Sequence, residues 1–234
     1  MAVIYNSPKI VTDGLVLCLD AANKLSYSGE GTSWTDLAGS NNGTLTNGPT
    51  FSEENVGSLV FDGANDYIDL GNANPDYMDS TYPNGLNISF TIKLSDPFPS
   101  TGDGRGVISR NSGGPSDNAF NLSIQNDRRL RFWMTPYQPM FSQTYLNVGE
   151  IYTCSINLDG ANLRKKWYIS GLEEVDSSWI RPSSTAQHTN FDIGRWPAGG
   201  WYFSGNIYSV KIYNRSLSSE EIKQNYNATK GRFQ

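Results

Sequence analysis

The chain has 234 residues, 37% of them hydrophobic and 12% aromatic, with a formal net charge of -5. That length holds one large all-β domain as well as two small ones, and buries a sizeable core without staples. Mild acidity without a basic block excludes nucleic acid as a natural partner, because phosphate contacts need clustered Lys and Arg. The one dense positive stretch, Arg128-Arg129-Leu130-Arg131, follows Asn126-Asp127 and reads as a hairpin with solvated arginines.

Taken in order, the N-terminal MAVIYNSPKIVTDG has no basic segment followed by a long apolar core, so it reads as neither a signal peptide nor a membrane span. Residues 1–13 are taken as an extension and 14–234 as one domain. Gly14 to Asp20 is a short apolar run bounded by turn residues, which predicts a buried strand. Asn23 to Gly48 is almost free of apolar residues and reads as a long loop packed over a sheet edge by Tyr27, Trp34 and Leu37. Ser58 to Leu70 reads as two strands around an Asp-Gly turn, with Leu59 and Phe61 on one face before it and Ile68 and Leu70 after it. Leu86 to Leu94 alternates throughout: Leu86, Ile88, Phe90, Ile92 and Leu94 lie on one side, Asn87, Ser89, Thr91 and Lys93 on the other. Gly106 to Arg110, Ala119 to Gln125 and Arg129 to Thr135 follow as hairpin-like strands. Ile151 to Leu158 and Lys166 to Ser170 flank Asp159-Gly160 and should pair. Glu173 to Ile180 and Phe191 to Gly194 lead to the last strand.

That last stretch, Phe203 to Ala228, combines a strand and the chain's one run with helical period. Tyr208, Val210 and Ile212 are expected on one face and Ser209 and Lys211 on the other. Ser218 and Glu221 have capping-box spacing, Leu217 and Ile222 fall where a hydrophobic staple needs them, and Ile222 and Tyr226 share a helix face. With no heptad, repeat or low-complexity linker, the pattern predicts one all-β domain of two packed antiparallel sheets, closed by a short C-terminal helix. Cys18 and Cys154 lie in apolar strand-like runs and read as buried thiols, with a disulfide left open.

Three blocks carry a resemblance: GLVLCLDAANKLSYSGEGTSWTDLAGSNNGTLTNGPTF, LVFDGANDYIDLG and FSGNIYSVKIYNRSLSSEEIKQNYNA. They resemble the laminin G-like branch of the concanavalin A-like lectin/glucanase superfamily. More narrowly, they are similar to versions in virion proteins of tailed bacteriophages, the terminal NYNATKGRF especially. The resemblance runs from Val11 to Phe233. It implies a jelly-roll sandwich with the last strand beside the first, and a protein made in a host cytoplasm and carried on a virion surface. This fold hosts lectins, hydrolases and inert spacers alike, so function has to be read from sites.

Glucanases of the superfamily place two carboxylates on one strand in an E-x-D-x-E or E-x-D-x-x-E pattern, one attacking or stabilising while the other donates a proton. Only Glu174-Val175-Asp176 begins that pattern, and it continues Ser177-Ser178-Trp179. His188, the only histidine, sits in a polar loop with no nucleophile motif nearby. The chain therefore reads as a non-enzyme. Calcium, common in laminin G-like domains, stays open: Asp62, Asn65 and Asp66 cluster in one turn, and Asp36 groups with Asn41 and Asn42. Turn formation explains both groups equally well, and no metal site is assigned.

Two aromatic stretches remain. In the Gly-rich loop Arg195 to Tyr202, Trp196, Trp201 and Tyr202 could stack on pyranose rings with Arg195 as donor, or cover the open end of the sandwich. In Arg131 to Phe141 both alternating faces are partly apolar; Trp133, Met134, Tyr137, Met140 and Phe141 are the expected contacts to another virion subunit. The reading is a one-domain decoration or appendage subunit, with a host-glycan-binding adhesin as the alternative and homo-oligomerisation open.

Overall fold

A computed structural model describes residues 8–71, 83–95, 104–111, 120–134, 139–178, 180 and 190–233. His188, Trp179 and Tyr137 lie outside these described residues. In chain order the strands are β1 (Leu15–Asp20), β2 (Ser33–Trp34), β3 (Gly43–Thr46), β4 (Thr50–Ser52), β5 (Ser58–Asp62), β6 (Tyr67–Asp69), β7 (Leu86–Leu94), β8 (Arg105–Asn111) and β9 (Phe120–Ile124). They continue with β10 (Arg129–Met134), β11 (Met140–Tyr145), β12 (Ile151–Asp159), β13 (Arg164–Ile169), β14 (Leu172–Ser178), β15 (Asn190–Ile193), β16 (Arg195–Trp196), β17 (Trp201–Tyr202) and β18 (Ser204–Tyr213). Helix α1 spans Ser219–Thr229.

Among the described residues these build two large antiparallel sheets. The first runs β14-β13-β12-β7-β18-β5-β4; the second runs β11-β10-β9-β8-β15-β6-β3-β2. Strand β18 explains the closure. Its first half pairs with β5 and its second half with β1 along the same edge, while β7 takes the other edge. Leu17 faces Ile212 and Leu19 faces Val210, so the first and last strands are neighbours, as the resemblance implied.

The core lies between the sheets, built from the apolar side of each alternation. Leu86, Ile88, Phe90, Ile92 and Leu94 face Leu122, Ile124, Leu130, Phe132, Phe191 and Ile193, all buried in one cluster. Each such side chain contributes about 1.5–3 kcal/mol by leaving water. Ser58 to Leu70 does form two strands around Asp62-Gly63, but they join different sheets: β5 pairs with β18 and β6 with β15 and β3. Leu59, Phe61 and Ile68 all reach the same core, from opposite sheets. The stretch from Asn23 to Gly48 is less loop-like than its composition suggests. Trp34 and Leu45 bring β2 and β3 to the edge of the second sheet, and Tyr27 is buried, while Leu37 is 40% exposed and stays out of the core cluster.

Helix α1 packs on the outer face of the first sheet. Ser218 caps it: its hydroxyl accepts from the Glu221 N–H, and the Glu221 carboxylate accepts from the Ser218 N–H. Leu217 and Ile222 are both buried in a second small cluster with Val11, Tyr168 and Tyr213. Asn157 grips the entry to the helix, donating to the Leu217 carbonyl at 3.0 Å and accepting its N–H at 2.9 Å. Residues 8–13 lie against the same helix: the Val11 N–H donates to Asn225 Oδ1, and Gln224 donates to the Lys9 carbonyl. Tyr208 departs from its expected face. A register shift between Ile207 and Ser209 makes it an extra residue, so Ile207, Val210 and Ile212 fill the core while Tyr208 stacks on Phe233.

Candidate functional site on the outer face of the second sheet

In β10, β9 and β15 one residue sits between two core residues and so points away from the core: Trp133 between Phe132 and Met134, Asn121 between Phe120 and Leu122, Asp192 between Phe191 and Ile193. The register puts them in one row with Ser109: Trp133 faces Asn121, Asn121 faces Ser109, Ser109 faces Asp192, and Asp192 faces Asp69. A neighbouring row holds Arg131, Ser123 and Gly106.

The β16–β17 hairpin folds down over these rows. Its base is closed by bonds from the Phe203 N–H to the Gly194 carbonyl and from the Gly194 N–H to the Val107 carbonyl, both 2.8 Å. Ser109 Oγ donates to the Arg195 carbonyl at 2.8 Å. The hairpin backbone rests on Gly106 so closely that a Cβ there would lie 2.4 Å from Trp196 N. Arg105 Nη1 donates to the carbonyls of Tyr202 and Gly63, each at 3.2 Å, which ties the hairpin to the β5–β6 turn.

Three tryptophans meet as a result. Trp133 and Trp196 pack edge to face with centroids 6.0 Å apart, and Trp196 and Trp201 do so at 4.5 Å. All three are half-buried, and the Arg131 guanidinium lies 5.1 Å over the Trp201 ring. Arg195 does not extend into solvent. It lies 3.4 Å over the ring of Tyr67 and pairs with Asp192 at 3.1 Å. Asp192 is 0% exposed: burial pushes its carboxyl up and the Arg195 guanidinium pulls it back. Asn121, 1% exposed, accepts from Arg131 Nη2 at 3.4 Å, while its own Nδ2 has no hydrogen-bond partner. An aromatic platform with the Arg131 guanidinium at its side, over a buried Asn121, suits a ring with one apolar face and equatorial hydroxyls.

Of the residues singled out in the sequence, Arg195, Trp196, Trp201 and Tyr202 therefore form one hairpin, and Trp133 joins them from β10. The other expected docking residues separate. Met134 and Met140 are in the core, because they occupy the inward positions of their strands, while Phe141 is half-buried on β11 under the Arg129 guanidinium. Tyr67, Ser109, Asn121 and Asp192 were not singled out. Asn121 and Asp192 each stand as a polar residue between two apolar ones that face the core, which is a visible signal, but strand adjacency is not.

The other candidates are engaged in structural contacts. Asp62 Oδ1 accepts from the N–H groups of Ala64, Asn65 and Asp66, which holds its carboxyl below the usual range; Asp66 Oδ2 accepts from the Asp62 N–H, and burial pushes Asp66 up. Asp36 accepts from the N–H groups of Cys18, Ala38 and Asn41, and Asn42 accepts from the Asp36 N–H. Among the described residues no group of three His, Cys, Asp or Glu could hold a metal ion. Glu174 accepts from Gln143 N, Thr144 N and Thr144 Oγ1, and Asp176 pairs with Arg164 and Lys166. Cys18 and Cys154 are free and buried. Among the described residues no helix is long and apolar enough to cross a membrane.

Sheet pairing and core define a two-sheet antiparallel β-sandwich. The chain belongs to the concanavalin A-like lectin/glucanases superfamily, whose model matches residues 62–223. Sialidase from Trypanosoma rangeli in complex with the inhibitor DANA is similar in structure, with a TM-score of 0.70 and 16% identity over 97% of this chain and 34% of that one. Domain 4 of AbnA, a GH43 extracellular arabinanase from Geobacillus stearothermophilus, in complex with arabinotriose, has a TM-score of 0.67 and 16% identity over 91% of this chain and 98% of that one. The receptor binding domain of botulinum neurotoxin C/D mosaic serotype has a TM-score of 0.68 and 16% identity over 92% of this chain and 51% of that one. At such identities the likeness is one of fold, and the chain spans about a third of the length of the sialidase chains it matches. No curated protein matches the sequence.

Proposed function

We propose that this chain is a non-enzymatic glycan-binding module whose ligand stacks on the platform of Trp133, Trp196 and Trp201, with Arg131 at its side. The observation that carries the reading is the meeting of two aromatic stretches far apart in sequence, with Trp133 and Trp196 6.0 Å apart on one face. Glycan-bearing structures of the same fold, such as the arabinanase domain with arabinotriose, support the class of ligand. The two carboxylates of the Trp133 row are engaged by neighbouring groups, which favours binding over catalysis. Asp192 is buried against Arg195, and Asp69 Oδ1 accepts from the Gly71 N–H at 2.7 Å. A glycosidase needs one carboxyl free to protonate and a second free to attack or activate water.

The module's setting is read as the surface of a bacteriophage particle, where it would recognise host envelope polysaccharide. A second strip supports docking there: Arg129 lies over both Phe141 and Tyr145, Tyr145 is 56% exposed, and β11 is the edge strand of its sheet. A glycan array probed with the purified protein tests the main reading. Binding is expected to fall about fivefold or more in Trp201→Ala and Trp133→Ala, since stacked aromatics contribute on the order of 1 kcal/mol or more. No binding to any glycan, affinity unchanged in both variants, or release of reducing ends from a bound polysaccharide would overturn it. Co-purification with emptied particles, lost in Phe141→Ala, tests the docking strip.

A further inference from the structure

The outer face of the first sheet carries polar side chains that the glycan reading does not use. Ser155, Ser89 and Lys211 are cross-strand neighbours on β12, β7 and β18, and Thr153, Thr91 and Ser209 form the next row. Helix α1 lies over both rows. Beneath it is a cavity of about 20 Å³ lined by these six side chains and roofed by Asn225 and Tyr226, room for one water or one small ion. Lys211 is 7% exposed, and its ammonium donates one hydrogen bond, to Ser209 Oγ at 3.3 Å. It makes no ion pair among the described residues: Asp20, the carboxylate whose charge reaches it, is paired with Arg232 Nη1 at 2.6 Å.

Counting hydrogens shows what the cavity lacks. Of the five hydroxyl hydrogens in the two rows, one satisfies Asn87 Oδ1, one joins Ser89 to Ser155, and one joins Thr91 to Thr153. That leaves the Ser209 hydrogen, one from the threonine pair and two of the three on the ammonium. No carboxylate lines the cavity, and Asn225 Oδ1 is taken by the Val11 N–H. A water here could donate to the spare lone pairs of Ser209 and the threonine oxygens, but being neutral it would leave the buried ammonium without a counter-charge. An anion accepts every remaining donor and offsets a buried charge that otherwise has no counter-ion.

We propose that this cavity binds a small monovalent anion of chloride size, held by the Lys211 ammonium and by the hydroxyls of Ser209 and the Thr91–Thr153 pair. The ion fastens α1 to the sheet from below, beside the apolar contact that Ile222 makes with the cluster of Tyr168 and Tyr213. Burial alone pushes the Lys211 ammonium toward deprotonation, and the anion opposes that.

Crystals soaked in sodium bromide, measured at the bromine absorption edge, test the site directly. An anomalous peak within hydrogen-bond distance of Lys211 Nζ is expected. In solution, sodium chloride or bromide should raise Tm in a saturable way that sodium gluconate at equal ionic strength does not, and Lys211→Met should abolish the difference. Should that variant fail to fold, Ser209→Ala and Thr91→Val are each expected to raise the half-saturating halide concentration by about tenfold, the loss of one hydrogen bond to a charged group. A water in place of the bromide peak, bromide only at the surface, or an equal Tm response to chloride and gluconate would overturn the proposal.

Discussion

Gly106 lies under the aromatic hairpin, and a methyl group placed there should move the glycan platform without touching the core. A Cβ at this position would lie 2.4 Å from Trp196 N, 2.5 Å from the Arg195 carbonyl carbon and 2.9 Å from Trp201 O. Ordinary contact begins near about 3.5 Å, so the hairpin must rise by about 1 Å. All three obstructing atoms are backbone, so no rotamer change relieves the clash. The Gly106 φ lies outside the left-handed region, so Ala costs nothing in backbone conformation. Gly106→Ala should therefore cost roughly 1–3 kcal/mol of stability, the usual range for overpacking. It should also weaken glycan affinity by about tenfold or more as Trp196 and Trp201 leave their positions beside Trp133 and Arg131, a tenfold loss being about 1.4 kcal/mol. Calorimetric titration with the best array ligand, read with tryptophan emission, measures both. Gly231→Ala is the control, because a Cβ there meets nothing within 4 Å. A folded Gly106→Ala protein with native affinity and native emission would refute the idea that hairpin height sets the site.

Ser218→Ala removes half of the capping box and should lower stability in urea by about 1 kcal/mol, with faster amide exchange confined to α1. The Arg215 guanidinium holds the Glu221 carboxyl below its usual range, with the Ser218 N–H adding to it. A depressed carboxyl contributes stability that is fully present above its unfolded value and is lost as pH falls through the folded one. Acid titration of Tm should thus be shallower in Glu221→Gln than in the parent below about pH 4.5, and parallel curves would count against it. Burial pushes both the Cys18 and Cys154 thiols up, so a thiol reagent at neutral pH should label neither in the native state and both in guanidinium. No disulfide should form. Cys18 on β1 and Cys154 on β12 are separated by β18 and β7, about 14 Å at usual strand spacing, twice the reach of a bridge.

How much of this was legible in the sequence depends on the range of the signal. Strict alternation in Leu86 to Leu94 and the Ser218–Glu221 spacing are local, and both appear as read. The pairing of the first and last strands followed from family resemblance, not from periodicity. What stayed hidden needs long-range register. The Asp-Gly turn at Asp62 looks like a hairpin turn, yet the strands on either side face each other across the core. The bulge at Tyr208 reverses one side chain in an otherwise regular strand. The row from Trp133 through Asn121 and Ser109 to Asp192 draws on four strands whose order no local pattern states. The aromatic hairpin was visible as a composition, whereas its seat on Gly106 depends on a residue with no side chain to notice. The helix also hid the second polar face: Ser89, Thr91 and Lys211 read only as the side away from the apolar residues, and α1 covers them.

The segment at Lys9 to Val11 and the closing turn at Arg232 and Phe233 are both held on the α1 side, through Gln224, Asn225, Asp20 and Tyr208. The three tryptophans stand on the opposite side of the sandwich. A tether joined near either of these segments would lie on the α1 side and leave the tryptophan shelf unobstructed. Copies mounted on a common support by that rear side would all turn their shelves outward, so weak individual contacts could add up across many copies.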